Sequence, residues 1–355
     1  MPVTLRRSAM PRALRRLSLP LLLLGLSGCV SIPEPASDTT APDAQALFDA
    51  TTQAHGREAF DSLQDIAVAY DGEWYRLIQR LQAALVDPEY RKSSEERILL
   101  GGAGDNASAN GGQGANGAGP ATGLVAQVHT GPAGEKVVLR QRRWQLAPGP
   151  DARPNARPTP RSNASSDAPT EAARQVSVSY DGEIDEGEVV LDAAALVADA
   201  YRMFLLGPLH FIGSDRQMET LSPQRLNGRR VDRLRIRTRP GLGAAAQDDY
   251  VLYIDREERL TRRIRFSLAG LASTRGAIVE TDYFDFIERD GLVVATRFFE
   301  QVRRPIPGLD AHRWRMTGLD LNRGMTAADF DPTGFSGAAA APAQPLDPSQ
   351  PPFSE

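Results

Sequence analysis

The sequence predicts a mainly β fold with helices (α+β), organised around one meandering antiparallel sheet. Six short segments rich in β-branched and aromatic residues follow one another, at 231–238, 250–255, 260–268, 277–287, 292–302 and 313–321. Turn-forming pairs such as Asp290-Gly291 separate them. Short strands joined by short turns pair as antiparallel neighbours, so the block 228–330 is expected to be one sheet.

Alternation within these strands predicts one solvated face and one apolar face. In the first strand, arginines occupy every second position and apolar residues lie between them. The arginine rows are expected to be solvated, with ligand binding as the alternative. The other face needs an apolar cover, because such a sheet keeps only one face in water. Six side chains are expected on that face: Leu234, Ile236, Ile264, Phe266, Trp314 and Met316.

Further strands are expected upstream, at 65–70, 97–100, 124–129, 136–144 and 174–180. The segment 73–86 is ambiguous. Its apolar spacing fits a helix, whereas the preceding turn signal Asp71-Gly72 favours a hairpin. We predict that the chain returns as a strand through 74–80.

Two helices are predicted. Asp43 can cap the first, which ends near Gly56. The second covers 192–206, with Asp192 as its cap and Gly207-Pro208 as its end. Its apolar arc is so wide that it is either a core element or a lid over an apolar groove. Four of its apolar residues share one side: Leu196, Ala200, Met203 and Phe204.

The first 28 residues are expected to be a lipoprotein signal peptide. Arginines between positions 6 and 16 precede an apolar stretch at 17–26 that is too short to span a bilayer. The stretch ends in Leu26-Ser27-Gly28-Cys29, the pattern of a bacterial lipobox, and Cys29 is the only cysteine. The alternative is an ordinary secretory signal with a chance cysteine. We expect cleavage between Gly28 and Cys29, and acylation of Cys29 by fatty acids such as palmitate.

The rest of the chain is expected to divide simply. Residues 29–42 form a lipidated tether, 43–334 one domain, and 335–355 a disordered tail. Two low-complexity inserts, at 101–123 and 147–170, are expected to be disordered as well. The residue after the acylated position is Val30, whereas an Asp there would retain the protein in the inner membrane. Enterobacterial-type sorting would then deliver it to the outer membrane, facing the periplasm of a Gram-negative-type bacterium.

Several function classes are disfavoured. The formal net charge of -4 offers no basic field for nucleic acid. No catalytic serine, zinc-protease or cysteine motif is present, so we expect neither an enzyme nor a cofactor or metal site. The acidic residues between 282 and 290 fit a polar strand face and a turn better than a catalytic pair. His55 is expected to be a helix-end residue.

A series of short motifs runs through the chain: Ala54-His55-Gly56, Tyr180-Asp181-Gly182, the helix 192–206, and the segments 226–230, 253–258, 283–294, 322–325 and 330–332. Together they resemble the LolA/LolB-like superfamily of outer-membrane lipoprotein-sorting-like proteins, over 41–332 less the inserts. Ala295 stands where that family usually has Pro. The resemblance implies a curved, half-open antiparallel β-barrel whose helices cover the concave face. It also implies an apolar cleft that binds lipid or lipoprotein acyl chains.

The candidate cleft therefore combines the four helix residues with the six sheet residues named above. Three functions stay open. The first is a membrane-anchored carrier or acceptor of lipids or acylated proteins. The second is a non-enzymatic assembly or scaffold lipoprotein that binds an envelope protein, and the third is a ligand-sensing regulator. A filled interior would favour the scaffold, and an open apolar cleft would favour the other two.

Overall fold

The computed structural model describes residues 43–100, 122–143, 175–330 and 339–346. The expected signal peptide with Cys29, the tether and the insert 147–170 lie outside these ranges. So does the insert at 101–123, apart from its last two residues. No helix in the described ranges is long and apolar enough to cross a membrane.

The described chain forms one antiparallel sheet. Its thirteen strands are β1 (Asp65–Trp74), β2 (Ser93–Leu99), β3 (Thr122–Gly131), β4 (Gly134–Arg143), β5 (Val176–Tyr180), β6 (Glu183–Asp185), β7 (Asp215–Leu226), β8 (Arg229–Arg239), β9 (Asp248–Asp255), β10 (Thr261–Ser267), β11 (Ile278–Arg289), β12 (Leu292–Arg304) and β13 (Leu309–Leu321). The order is β6-β5-β4-β3-β2-β1-β13-β12-β11-β10-β9-β8-β7. The mainly β class and the six strands of the central block are confirmed.

The sheet is strongly curved around a central helix. The order places β4 nine strand steps from β8, which is roughly 43 Å across a flat sheet. Yet Arg140 on β4 donates from Nη2 to the carbonyl of Gly243, in the loop after β8, over 3.3 Å. The edge strands β6 and β7 do not pair with each other. The result is the expected half-open barrel.

Five α-helices accompany the sheet in the described ranges: α1 (Ala44–Ala54), α2 (Arg57–Asp61), α3 (Arg76–Leu81), α4 (Ala83–Val86) and α5 (Glu188–Leu206). Three short 3-10 helices lie in the same ranges, at Gly207–Phe211, Ala272–Thr274 and Ala327–Phe330. Asp43 caps α1 as predicted, accepting from the backbone of Gln45 and Ala46. The predicted start of α5 was wrong: Gly187 precedes its first turn, and Asp192 lies inside it. Asp185 accepts from the Gly187 amide and fixes the earlier start. Gly207 ends α5, as expected.

The predicted strand at 74–80 was wrong. β1 runs through Asp71-Gly72 to Trp74, and the short helices α3 and α4 follow. Gly72 serves close packing here: a Cβ on it would lie 2.8 Å from Nε2 of His312 and from Cβ of Trp314. The pair Asp71-Gly72 predicted a turn, but Gly72 is needed inside the strand for this close packing.

Parts of two segments that were predicted to be disordered, the insert 101–123 and the tail 335–355, belong to or contact the sheet. β3 begins at Thr122, so Thr122 and Gly123 belong to the sheet. In the predicted tail, the carbonyl of Ala340 accepts from the Leu319 amide over 2.7 Å. Gly318 permits this approach, because a Cβ on it would lie 2.5 Å from the Ala339 carbonyl oxygen. Residues 339–346 therefore lie against the sheet.

Candidate functional site

Helix α5 lies inside the curved sheet as a core element. Every residue from Ala193 to Leu206 is buried. Asp199 and Arg140 form a buried ion pair, with Nη2 of Arg140 3.1 Å from Oδ2 of Asp199. The same carboxylate oxygen accepts from the Gly243 amide over 2.8 Å. These bonds join the middle of α5 to β4 and to the loop between β8 and β9.

The structure brings all ten candidate cleft residues into one apolar cluster. None is more than 7% exposed. The Phe204 ring centroid lies 5.7 Å from that of Phe266 and 5.0 Å from that of Trp314, so helix and sheet side chains interlock. In this conformation the protein's own side chains fill the interior between α5 and the sheet. Ligand binding by these residues stays a prediction.

A group of buried polar residues adjoins the apolar cluster. We call it the polar chamber and define it by Tyr70, Arg91, Glu96, Tyr201, Tyr283 and Glu300. The sheet supplies four of these residues, from β1, β2, β11 and β12, while Tyr201 comes from α5 and Arg91 follows α4. The Arg91 guanidinium carbon lies 5.5 Å from the Tyr201 ring centroid. The positive charge of Arg91 favours the charged form of both chamber carboxyls, although burial outweighs it.

Both chamber carboxyls have a pKa that is raised to near neutrality. Burial raises the pKa of Glu96 to about 7, although Ser94 Oγ donates to its Oε1 over 3.0 Å. Burial also raises the pKa of Glu300 to about 7, against a bond from Thr281 Oγ1 to its Oε2 at 3.2 Å. Desolvation disfavours the charged form more than these bonds favour it.

Two histidines beside the chamber are neutral. Burial, followed by the charge of Arg91, lowers the pKa of both His129 and His312 well below the usual range. The His312 ring stacks 3.9 Å from that of Trp74 and 4.5 Å from that of Trp314. The chamber thus combines aromatic surfaces with groups that both donate and accept hydrogen bonds.

A small cavity of about 10 Å³ borders the chamber, with Tyr70, Arg91, Tyr201 and Trp314 among its lining residues. The chamber carboxyls Glu96 and Glu300 do not line it. An outer groove of about 880 Å³ shares Gly72 and Trp314 with that cavity. Gly72 on β1 and Trp314 on β13 therefore border both the groove at the surface and the cavity beside the chamber.

Two groups considered from the sequence have structural roles. His55 ends α1, accepts from the Thr261 amide through Nε2 over 3.0 Å, and contacts the Val293 carbonyl through Nδ1 at 2.9 Å. Burial lowers its pKa to about 4, so the ring is neutral. The acidic residue Asp285 pairs with Arg297 at 2.6 Å.

Comparison with known proteins gives structural neighbours. No protein-family model and no curated protein matches the chain. A DUF1329 family protein from Desulfovibrio piger ATCC 29098 is similar at 13% identity, over 84% of this chain and 100% of that one, with a TM-score of 0.46. A LolA superfamily protein from Nitrosomonas europaea is similar at 11% identity, over 82% and 98%, with a TM-score of 0.43. The superfamily that the motifs indicated thus appears among the structural neighbours.

A third neighbour is a putative outer membrane lipoprotein-sorting protein domain from Vibrio parahaemolyticus. It is 9% identical, with coverage of 81% of this chain and 97% of that one and a TM-score of 0.35.

Sequence reasoning found the apolar cluster but missed the polar chamber. The chamber residues are spread from Tyr70 to Glu300 and form no local motif. One signal was available: Glu300 occupies an inward position of β12, where Val294 and Phe298 on the same face are apolar.

Proposed function

We propose that this protein is an envelope lipoprotein, anchored in the outer membrane through acylated Cys29, which binds acyl chains of lipids or of acylated proteins. One observation carries the proposal. The helix residues chosen from helical spacing and the sheet residues chosen from alternation form a single apolar cluster in the concavity of the sheet. Burying an acyl chain there would gain about 25 cal/mol for each Å² of apolar surface removed from water.

Binding in this interior requires the apolar side chains to separate. The ten cluster residues contact one another in the present conformation, so an acyl chain must replace contacts that already exist. The apolar surface of the protein that stays out of water is nearly the same before and after binding, because the acyl chain covers the side chains that have separated. The described structure is then the unloaded, closed state of a carrier or acceptor.

A scaffold function is the second candidate, and the packed interior favours it. A protein that binds partners only through its surface needs no space beneath α5. Such a protein would have an interior as well packed as an ordinary core.

The test uses the full chain extracted from membranes. Native mass spectrometry should show copurified lipid, and the delipidated protein should bind a fluorescent long-chain fatty acid. Phe204→Glu should abolish binding, because a carboxylate in an apolar site is desolvated without a partner. Val178→Ala is the matched control, since Val178 lies in a separate cluster beside β4 and β5.

The outcomes separate the two candidates. A wild type that carries one lipid per chain and binds the fatty acid supports the carrier. A wild type that carries none and never binds the probe leaves the scaffold ahead, whatever the variant does. Circular dichroism of Phe204→Glu then shows whether lost binding reflects an altered site or an unfolded chain.

A further inference from the structure

The polar chamber contains hydrogen-bonding groups that the described protein does not use. The hydroxyls of Tyr70 and Tyr283, Nε of Arg91 and Nε1 of Trp314 are buried, and within the described ranges they have no hydrogen-bond partner. A buried polar atom left in this way costs about 1–3 kcal/mol. Three of these atoms belong to the chamber and the fourth, on Trp314, lies beside it; grouped in this way, they are hydrogen-bonding groups that a ligand could satisfy.

The charges of the chamber favour an uncharged ligand. Two carboxyl groups, Glu96 and Glu300, would face a bound anion, whereas the Arg91 guanidinium would face a bound cation. Tyrosine hydroxyls and protonated carboxyls both donate and accept, as alcohol hydroxyls do. The N–H groups of Arg91 and Trp314 only donate, and suit a hydroxyl or ether oxygen.

The chamber also borders the apolar cluster directly. Phe298 belongs to that cluster, and its ring lies 5.0 Å from that of Trp314 and 5.3 Å from that of Tyr283. Tyr70 pairs with Met316 across β1 and β13. A molecule that is polar at one end and apolar at the other would therefore find both surroundings side by side.

We propose that the polar chamber, when its side chains move apart from the closed conformation described above, binds an uncharged head group with several hydroxyls, such as glycerol or a sugar, of an amphiphile whose acyl chain enters the apolar cluster. This assignment rests on the proposed function, and it narrows the ligand to neutral hydroxylated lipids. Arg91 and Trp314 donate to head-group oxygens, and the tyrosine hydroxyls of the chamber bind its hydroxyls.

Native mass spectrometry of the full chain in a sugar-free detergent tests the assignment. Three probes share one acyl chain: a monoacylglycerol, the fatty acid, and its methyl ester. The monoacylglycerol should bind at least about tenfold more tightly than the methyl ester. Tyr70→Phe and Tyr283→Phe should each weaken monoacylglycerol binding by about tenfold and leave methyl ester binding unchanged.

The variants remove only hydroxyls without a partner, so melting temperatures should not fall. Tyr253→Phe is the control, because Tyr253 is buried on the other face of the sheet, beside Arg263 and Arg265. Equal binding of all three probes, unaffected by the chamber variants, would overturn the assignment and leave acyl binding intact. Tighter binding of the fatty acid would also overturn it. If no probe binds, the proposed function itself fails.

Discussion

Replacing a chamber carboxyl by an amide should stabilise the protein at alkaline pH. The pKa of Glu96 rises from its ordinary value of 4.5 to about 7 in the folded chain. The unfolded chain therefore releases this proton near pH 4.5, whereas the folded chain holds it to about pH 7. Stability is lost as the pH rises through this window, by about 3 kcal/mol in total. Glu96→Gln has no proton to lose, so this penalty disappears.

The measurement is denaturant unfolding of wild type and variant from about pH 4.5 to pH 8. The gain in unfolding free energy of Glu96→Gln over wild type should grow by about 3 kcal/mol across that range. Glu300→Gln should behave in the same way, since its pKa is also raised to about 7. The double variant should gain less than the sum, because Arg91 then loses both chamber carboxylates.

Glu280→Gln is the control with the opposite sign. Burial opposes ionisation of Glu280, but Arg263, Arg265 and Arg303 lower its pKa overall. Their nitrogens approach its carboxylate at 2.8, 2.7 and 2.6 Å. Its stabilising effect is present above pH 4.5 and is lost as the pH falls, so Glu280→Gln should be destabilising at neutral pH. The reasoning fails if Glu96→Gln and Glu280→Gln show the same pH dependence.

Three further predictions concern other parts of the chain. Arg140→Met leaves a buried carboxylate without its cation and should lower the free energy of unfolding by about 3–5 kcal/mol, whereas Arg57→Met removes an exposed pair and should cost at most about 1 kcal/mol; chemical denaturation measures both. Replacing 101–121 or 147–170 by a short Gly-Ser linker should change the melting temperature by less than about 5 °C, and a larger fall would show that the segment packs. Cys29→Ser should give an uncut precursor that takes up no fatty-acid label, and normal labelling would contradict the lipobox.

The apolar sheet face could be predicted because burial repeats at a period that sequence displays. Leu234 and Ile236, two residues apart, lie on the same inward face as expected. Strand β7 was not predicted, because its sequence does not display this period. Most of its residues, from Asp215 to Leu226, are exposed or half-buried, so no apolar alternation marks it. It is an edge strand defined by pairing with β8.

The chamber could not be predicted because it depends on contacts between distant segments. Glu96 lies opposite Gln127 across β2 and β3, while Glu300 lies opposite His312 across β12 and β13. These two strand pairs are brought into one group by the order and the curvature of the sheet. Neither can be read from local spacing. The sequence offers only isolated polar residues at inward positions, each of which could equally be a satisfied core residue.

The structure also changes which element is expected to move. α5 was considered as a lid, but it buries fourteen consecutive residues and forms a buried ion pair, so moving it would break much of the core. The helices α3 and α4 bury fewer apolar side chains: Ile78 and Val86 pack against Ala311 in a small cluster, and Leu85 is only partly buried against the main one. Nη1 of Arg91 donates to the Leu85 carbonyl, so release of α4 would free another donor at the chamber.

Hydrogen–deuterium exchange of the full chain tests this difference. Amides of α3 and α4 should exchange through local opening, well before those of α5, because local stability follows the number of buried apolar contacts. Val86→Ala should speed exchange in α3 and α4 and leave α5 unchanged, since Val86 is fully buried in that small cluster. Exchange of α5 as fast as α3 and α4 would mean that the central helix opens first, and the lid would then be α5 after all.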